Sequence, residues 1–198
     1  MEAQRLVAAF AFAMILYGTP GPAIISLTAS GAAYGFRRSL PYLVGLITGT
    51  LVTLAVAAFG LGYLITEFPL VYETLRYASL LYIFYLAYRI ARGGMSGGED
   101  PKPWRFGHGI LLSLVNPKAY VAAIAIVTQF AAAGAAYASS VLVLTILVAV
   151  VLAIVDTAWL YTGQGMTRLF SSSGAARVLN WTLAIALVGS VLLASLSL

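Results

Sequence analysis

The chain has 198 residues, of which 62% are hydrophobic and 9% charged, against roughly 25% charged in an ordinary soluble domain. With a mean hydropathy of +0.97 it lacks the polar surface to face water on all sides, and it reads as an integral protein of the lipid bilayer. The net charge of +5 comes mostly from basic residues gathered in particular loops, so no nucleic-acid partner is expected, and the absence of cysteine excludes disulfides, iron–sulfur clusters and thiol catalysis.

A spanning helix needs roughly 17–25 apolar residues, and six stretches qualify, at about 6–30, 39–65, 70–91, 107–132, 139–163 and 175–197. The first begins like a signal peptide, with Arg5 ahead of an apolar run. However, Glu2 offsets that single basic residue and the run continues to about Ser30, so cleavage is not expected. Inside this stretch lies "YGTPGPAIIS", Tyr17 to Ser26. Proline has no N–H and clashes with the preceding turn. Pro20 therefore leaves the Leu16 carbonyl without its helical donor, and Pro22 does the same to Gly18. Gly21 between them is free to take unusual dihedrals.

The second stretch follows Arg37 and Arg38 and contains Gly45-x-x-x-Gly49. With Gly31-x-x-x-Gly35, this spacing permits close helix contact, within the chain or in a homodimer. The third stretch carries Tyr77, Tyr82, Tyr85 and Tyr88 and runs into the Gly-rich segment "RGGMSGGEDPKP", Arg92 to Pro103, which suits a solvated linker. The fourth opens at His108, read as a polar boundary residue rather than a proton relay. It holds a second break, "SLVNPKAYVA", in which Pro117 frees the Ser113 carbonyl and pushes Asn116 away from helical geometry. The fifth carries Asp156, the only acid well inside a span, at a cost of roughly 2.5–3.5 kcal/mol on insertion scales. Trp159 and Gly163 follow on the same helix face, to line a cavity with it or simply to pack.

Basic residues favour the cytoplasm. They lie in the first connection (Arg37, Arg38), the third (Arg92, Lys102, Arg105) and the fifth (Arg168, Arg177). Odd-numbered connections are therefore expected inside and both termini outside. The chain divides at the linker into residues 1–92, a connecting loop 93–106, and residues 107–198, with corresponding stretches offset by about a hundred residues and a helix break leading each half. Three spans is an odd number, so the second half must enter the membrane upside down. The expected fold is all-α, about six transmembrane helices in two inverted three-helix repeats with the first and fourth helices broken. That pattern points to a transporter with a site near the midplane.

Each break makes a helix N-terminus whose first N–H groups lack acceptors and suit a carboxylate. The carbonyls just before each break suit a cation, and a zwitterion such as an amino acid needs both. The candidate substrate-binding residues are Gly18, Thr19, Pro20, Gly21, Pro22 and Ala23 at the first break and Asn116, Pro117, Lys118 and Ala119 at the second. Asp156 is the candidate proton-coupling residue; the competing structural reading pairs it with Lys118, whose long stem can also snorkel to an interface. A single histidine gives no metal site, and neither enzyme chemistry nor a cofactor is expected. The alternatives are an exporter or channel for cations or other small solutes and a non-transporting membrane scaffold.

At these residues the chain resembles the LysE/RhtB family of amino-acid exporters. The matching pieces are "TPGPAII" at 19–25, "YIFYLAYR" at 82–89, "FGHGILLSLVNPKA" at 106–119, "TQF" at 128–130 and "VDTAWLYT" at 155–162; the sixth stretch adds little. The family often has Gly where Ala87 stands, Pro where Thr128 stands and Asn where Ser113 stands, departures that bear on substrate identity. The resemblance implies export of an amino acid or related small molecule across the inner membrane, with the proton gradient as energy source.

Overall fold

The computed structural model describes residues 3–60, 70, 77, 81–85, 87, 88, 90–92, 103–169, 178 and 181–189. The Gly-rich linker at 93–102 and much of the third and sixth stretches lie outside the described residues. The described chain is helical throughout its regular parts: α1 (Ala3–Gly18), α2 (Pro22–Phe59), α3 (Phe106–Val115), α4 (Pro117–Phe130), a 3-10 turn (Gly134–Ala136) and α5 (Tyr137–Leu169). Further helical residues occur at 81–85 and 181–189. Two helices are long and apolar enough to cross a membrane, one of them α2 and the other within 134–166; the α3–α4 pair, bent by 67° at Asn116, is a third if taken as one broken span.

α2 is not a single rod. Gly35 adopts φ 75° and ψ 171°, a left-handed conformation that costs little only without a Cβ, and the chain folds back there. The Ser30 hydroxyl donates to Ser39 Oγ at 2.9 Å, and Ser26 Oγ lies 2.8 Å from the Tyr42 hydroxyl. On a straight helix Ser26 and Tyr42 would stand about 24 Å apart. The two arms, 22–34 and 36–59, therefore form a helical hairpin. Its turn falls at the connection carrying Arg37 and Arg38, where the sequence separates the first two stretches. Gln164 of α5 closes the turn by accepting from the Phe36 amide at 2.8 Å.

The second arm meets α3 backbone to backbone. A Cβ on Gly45 would lie 2.1 Å from the Phe106 carbonyl oxygen, and one on Gly109 would lie 2.4 Å from that of Tyr42. Gly31 makes an equally tight approach to Leu160 of α5. Gly31, Gly45 and Gly49 of the two glycine pairs noted in the sequence thus serve close contacts within the chain, whereas Gly35 is the pivot of the hairpin. His108 caps α3, its Nδ1 accepting from the Arg105 amide at 3.2 Å, in keeping with a boundary role.

Polarity runs from inside to outside as a bilayer requires. Large apolar side chains such as Val7, Ile15, Val44, Leu142 and Ile146 are exposed, while Ser26, Ser30, Ser39, Thr53, Ser113 and Asp156 are buried. One core cluster centres on Tyr42, Leu46, Trp104 and Leu160. The other joins Ala13 and Tyr17 of α1 to Ile126 of α4 and Val148 and Val155 of α5, and it brings the two helix breaks together.

Candidate functional site

The prolines strip donors from specific carbonyls, and the structure supplies a replacement for each. Leu16, freed by Pro20, accepts from the Thr19 hydroxyl at 3.0 Å. Gly18, freed by Pro22, accepts from the indole Nε1–H of Trp159 at 3.2 Å. Ser113, freed by Pro117, is approached by the Asn116 amide at 3.3 Å and the Thr53 hydroxyl at 3.4 Å. The Thr19 carbonyl accepts from Lys118 Nζ, which also donates to Thr19 Oγ1 at 2.8 Å. The lysine of the second break thereby reaches across to the first. Its stem passes over Gly21, where a Cβ would come within 2.6 Å of Lys118 Cδ.

The two helix starts differ. At α4, Asn116 is extended and acts as N-cap: its side-chain oxygen accepts from the Lys118 amide at 3.1 Å and its carbonyl from the Ala119 amide at 3.0 Å. At α2, Gly21 is the N-cap and offers no side-chain bond. Pro22 has no N–H, so Ala23 and Ile24 carry the first amides of that helix, without a capping side chain.

Tyr17, Gly21, Ala23, Ile24, Thr50, Asn116, Lys118, Ala119, Leu152 and Asp156 line one cavity of about 30 Å³, room for about two waters. Six residues singled out from sequence therefore share a wall: Gly21, Ala23, Asn116, Lys118, Ala119 and Asp156. Thr19 adjoins it through Lys118 and Gly18 is held by Trp159 outside its lining, whereas Pro20, Pro22 and Pro117 shape the breaks without lining the cavity. Asp156 is 5% exposed. Among the described residues no ion pair joins it to Lys118, whose ammonium is directed to Thr19 instead.

Trp159 and Gly163 share a face with Asp156 but do different things there. The indole holds the first break, while Gly163 packs against Thr28 of α2. Sequence reasoning missed Tyr17, Ile24, Thr50 and Leu152. For Tyr17 a signal existed, because Ala9, Ala13 and Tyr17 recur every four residues and are the buried face of α1.

The chain is similar in sequence to known translocators. A family model described as LysE type translocator matches residues 14–195, a span containing both breaks and Asp156. A cysteine/O-acetylserine efflux protein of Klebsiella pneumoniae subsp. pneumoniae is 31% identical over 188 residues, covering 92% of this chain and 93% of the relative. A protein of the same description from Escherichia coli (strain K12) is 29% identical over 190 residues, covering 95% and 96%. No solved structure matches. With the family model spanning most of its length, the chain belongs to the LysE family of translocators.

Proposed function

We propose that the protein exports a small neutral amino acid, or a closely related zwitterion, across the cytoplasmic membrane in exchange for a proton. The observation that carries this reading is the wall shared by Lys118, the uncapped amides of Ala23 and Ile24, and the buried carboxyl group of Asp156. Opposite charges that face one cavity without pairing suit a solute bearing both. An ammonium has three donors and Lys118 spends two on Thr19, which leaves one for the substrate carboxylate beside the α2 amides. The carbonyls of Gly18 and Thr19 already have donors, so the substrate ammonium falls to Asp156. The names of the relatives, cysteine/O-acetylserine efflux proteins, support a small neutral amino acid. At about 30 Å³ the cavity is smaller than an amino acid, so the substrate-loaded arrangement is wider.

Coupling follows from competition. Asp156 holds a proton or an ammonium, not both, so a proton entering from outside displaces substrate and an arriving substrate displaces the proton. One charge moving down ~150 mV releases roughly 3.5 kcal/mol, enough for an outward gradient of a few hundredfold. The same reading takes six spans in two inverted repeats, 1–92 and 107–198, with the breaks at mid-depth and the linker on the cytoplasmic side. The contact between the two breaks and the distribution of basic residues support it.

The test is export of a panel of radiolabelled amino acids from proteoliposomes, with and without an imposed proton gradient. Wild type is expected to move small neutral amino acids uphill only with the gradient. Asp156→Asn is expected to remain folded and lose uphill transport. Uphill export by Asp156→Asn equal to wild type would remove that residue from coupling, and no flux of any amino acid would end the export reading.

A further inference from the structure

We infer that Tyr17 recognises the side chain of the exported solute, and that the preferred substrates carry a hydrogen-bonding atom there; this rests on the export reading above. Tyr17 is 8% exposed and lines the cavity beside Asp156. Among the described residues its hydroxyl is the one buried side-chain polar atom with no hydrogen-bond partner.

Its isolation contrasts with the rest of the interior. Tyr42 is also a buried phenol, and its hydroxyl lies 2.8 Å from Ser26 Oγ. Ser30 pairs with Ser39, and Thr50, on the cavity wall itself, donates to Ser113. A buried hydroxyl left unpaired is destabilising, and packing alone does not call for one here. Tyr17 belongs to an apolar cluster with Ala13, Ile24, Leu152 and Val155, and phenylalanine would fill the same space without that cost.

The charged ends of a bound zwitterion have other partners, namely Asp156 for the ammonium and Lys118 with the α2 amides for the carboxylate. Among the described residues the Tyr17 hydroxyl is the one buried polar atom of the wall that lacks a partner, and it falls to the side chain. A site built around such a group discriminates against a substrate that leaves it unpaired.

L-serine and L-2-aminobutyrate form the test pair, since a methyl group replaces the hydroxyl at nearly constant size. Both are measured for export from proteoliposomes by wild type and by Tyr17→Phe, together with the thermal midpoint of each protein in detergent. Wild type is expected to favour serine by about tenfold or more in KM. Tyr17→Phe is expected to reduce that preference to about twofold or less by weakening serine alone, with KM for 2-aminobutyrate unchanged and no fall in midpoint.

Retention of the serine preference by Tyr17→Phe overturns the inference. So does a lowered midpoint or failure to fold, which would mean that the hydroxyl has a structural partner. Equal KM values for the two solutes in wild type overturn it as well while leaving the export reading intact, whereas absence of export of either solute fells both.

Discussion

Gly163 and Gly165 stand two residues apart on α5 and meet opposite surroundings. A Cβ on Gly163 would lie 2.1 Å from the Thr28 carbonyl oxygen, 2.8 Å from its carbon and 3.0 Å from its Cα; at Gly165 nothing lies within 4 Å. Carbon and oxygen in ordinary contact are more than 3 Å apart, so Gly163→Ala overlaps the backbone of the hairpin's first arm by about an ångström, and backbone cannot rotate away. Overpacking typically costs about 1–3 kcal/mol, while alanine regains about 1 kcal/mol of helix propensity at either site. A backbone clash belongs at the upper end of that range, which leaves Gly163→Ala destabilised by about 2 kcal/mol and Gly165→Ala neutral or stabilised. The assay is the thermal midpoint in detergent, read by tryptophan fluorescence, with export from proteoliposomes alongside. Asp156 lies two turns from Gly163 on the same helix, so parting α5 from α2 should also depress export, and Gly165→Ala should leave it at the wild-type rate. Equal midpoints for the two variants, or a Gly163→Ala protein as stable as wild type, would refute the close-packing argument.

Trp159→Phe keeps an aromatic ring and removes the donor to Gly18; a part-buried carbonyl then loses its partner, and the midpoint should fall by an amount corresponding to about 1 kcal/mol, as measured by thermal melts. Lys118→Met keeps the apolar stem over Gly21 and removes both bonds to Thr19; if Lys118 holds the substrate carboxylate as proposed, KM for export should rise by about tenfold or more with the loss of that charge-assisted contact, and substrate-dependence curves in proteoliposomes check it.

Much of the site was legible because proline chemistry is local. The sequence names the Leu16, Gly18 and Ser113 carbonyls as donorless, since each follows from a missing N–H four residues on. Their new partners were not legible: Trp159 and Lys118 reach the first break from 141 and 99 residues away, and no spacing rule connects such positions. The two helix starts read as equivalent anion sites, yet an asparagine directly before Pro117 is itself an N-cap signal, and it closes α4 while α2 stays without a capping side chain. Glycine spacing announced close helix contact but not its partner. The hairpin agrees with the basic pair at Arg37 and Arg38, although the pivot itself, Gly35, is fixed by its backbone conformation rather than by charge.

That Lys118 and Asp156 share a cavity without neutralising each other has an electrical consequence. With the acid ionised, the empty site sums to zero, and a bound zwitterion leaves it at zero. A proton raises it to plus one. Under the proposed exchange of solute for a proton, only the proton-bearing leg of the cycle would carry charge through the field, so a negative interior voltage would speed the inward return of the carrier and leave the outward, solute-bearing leg indifferent to it.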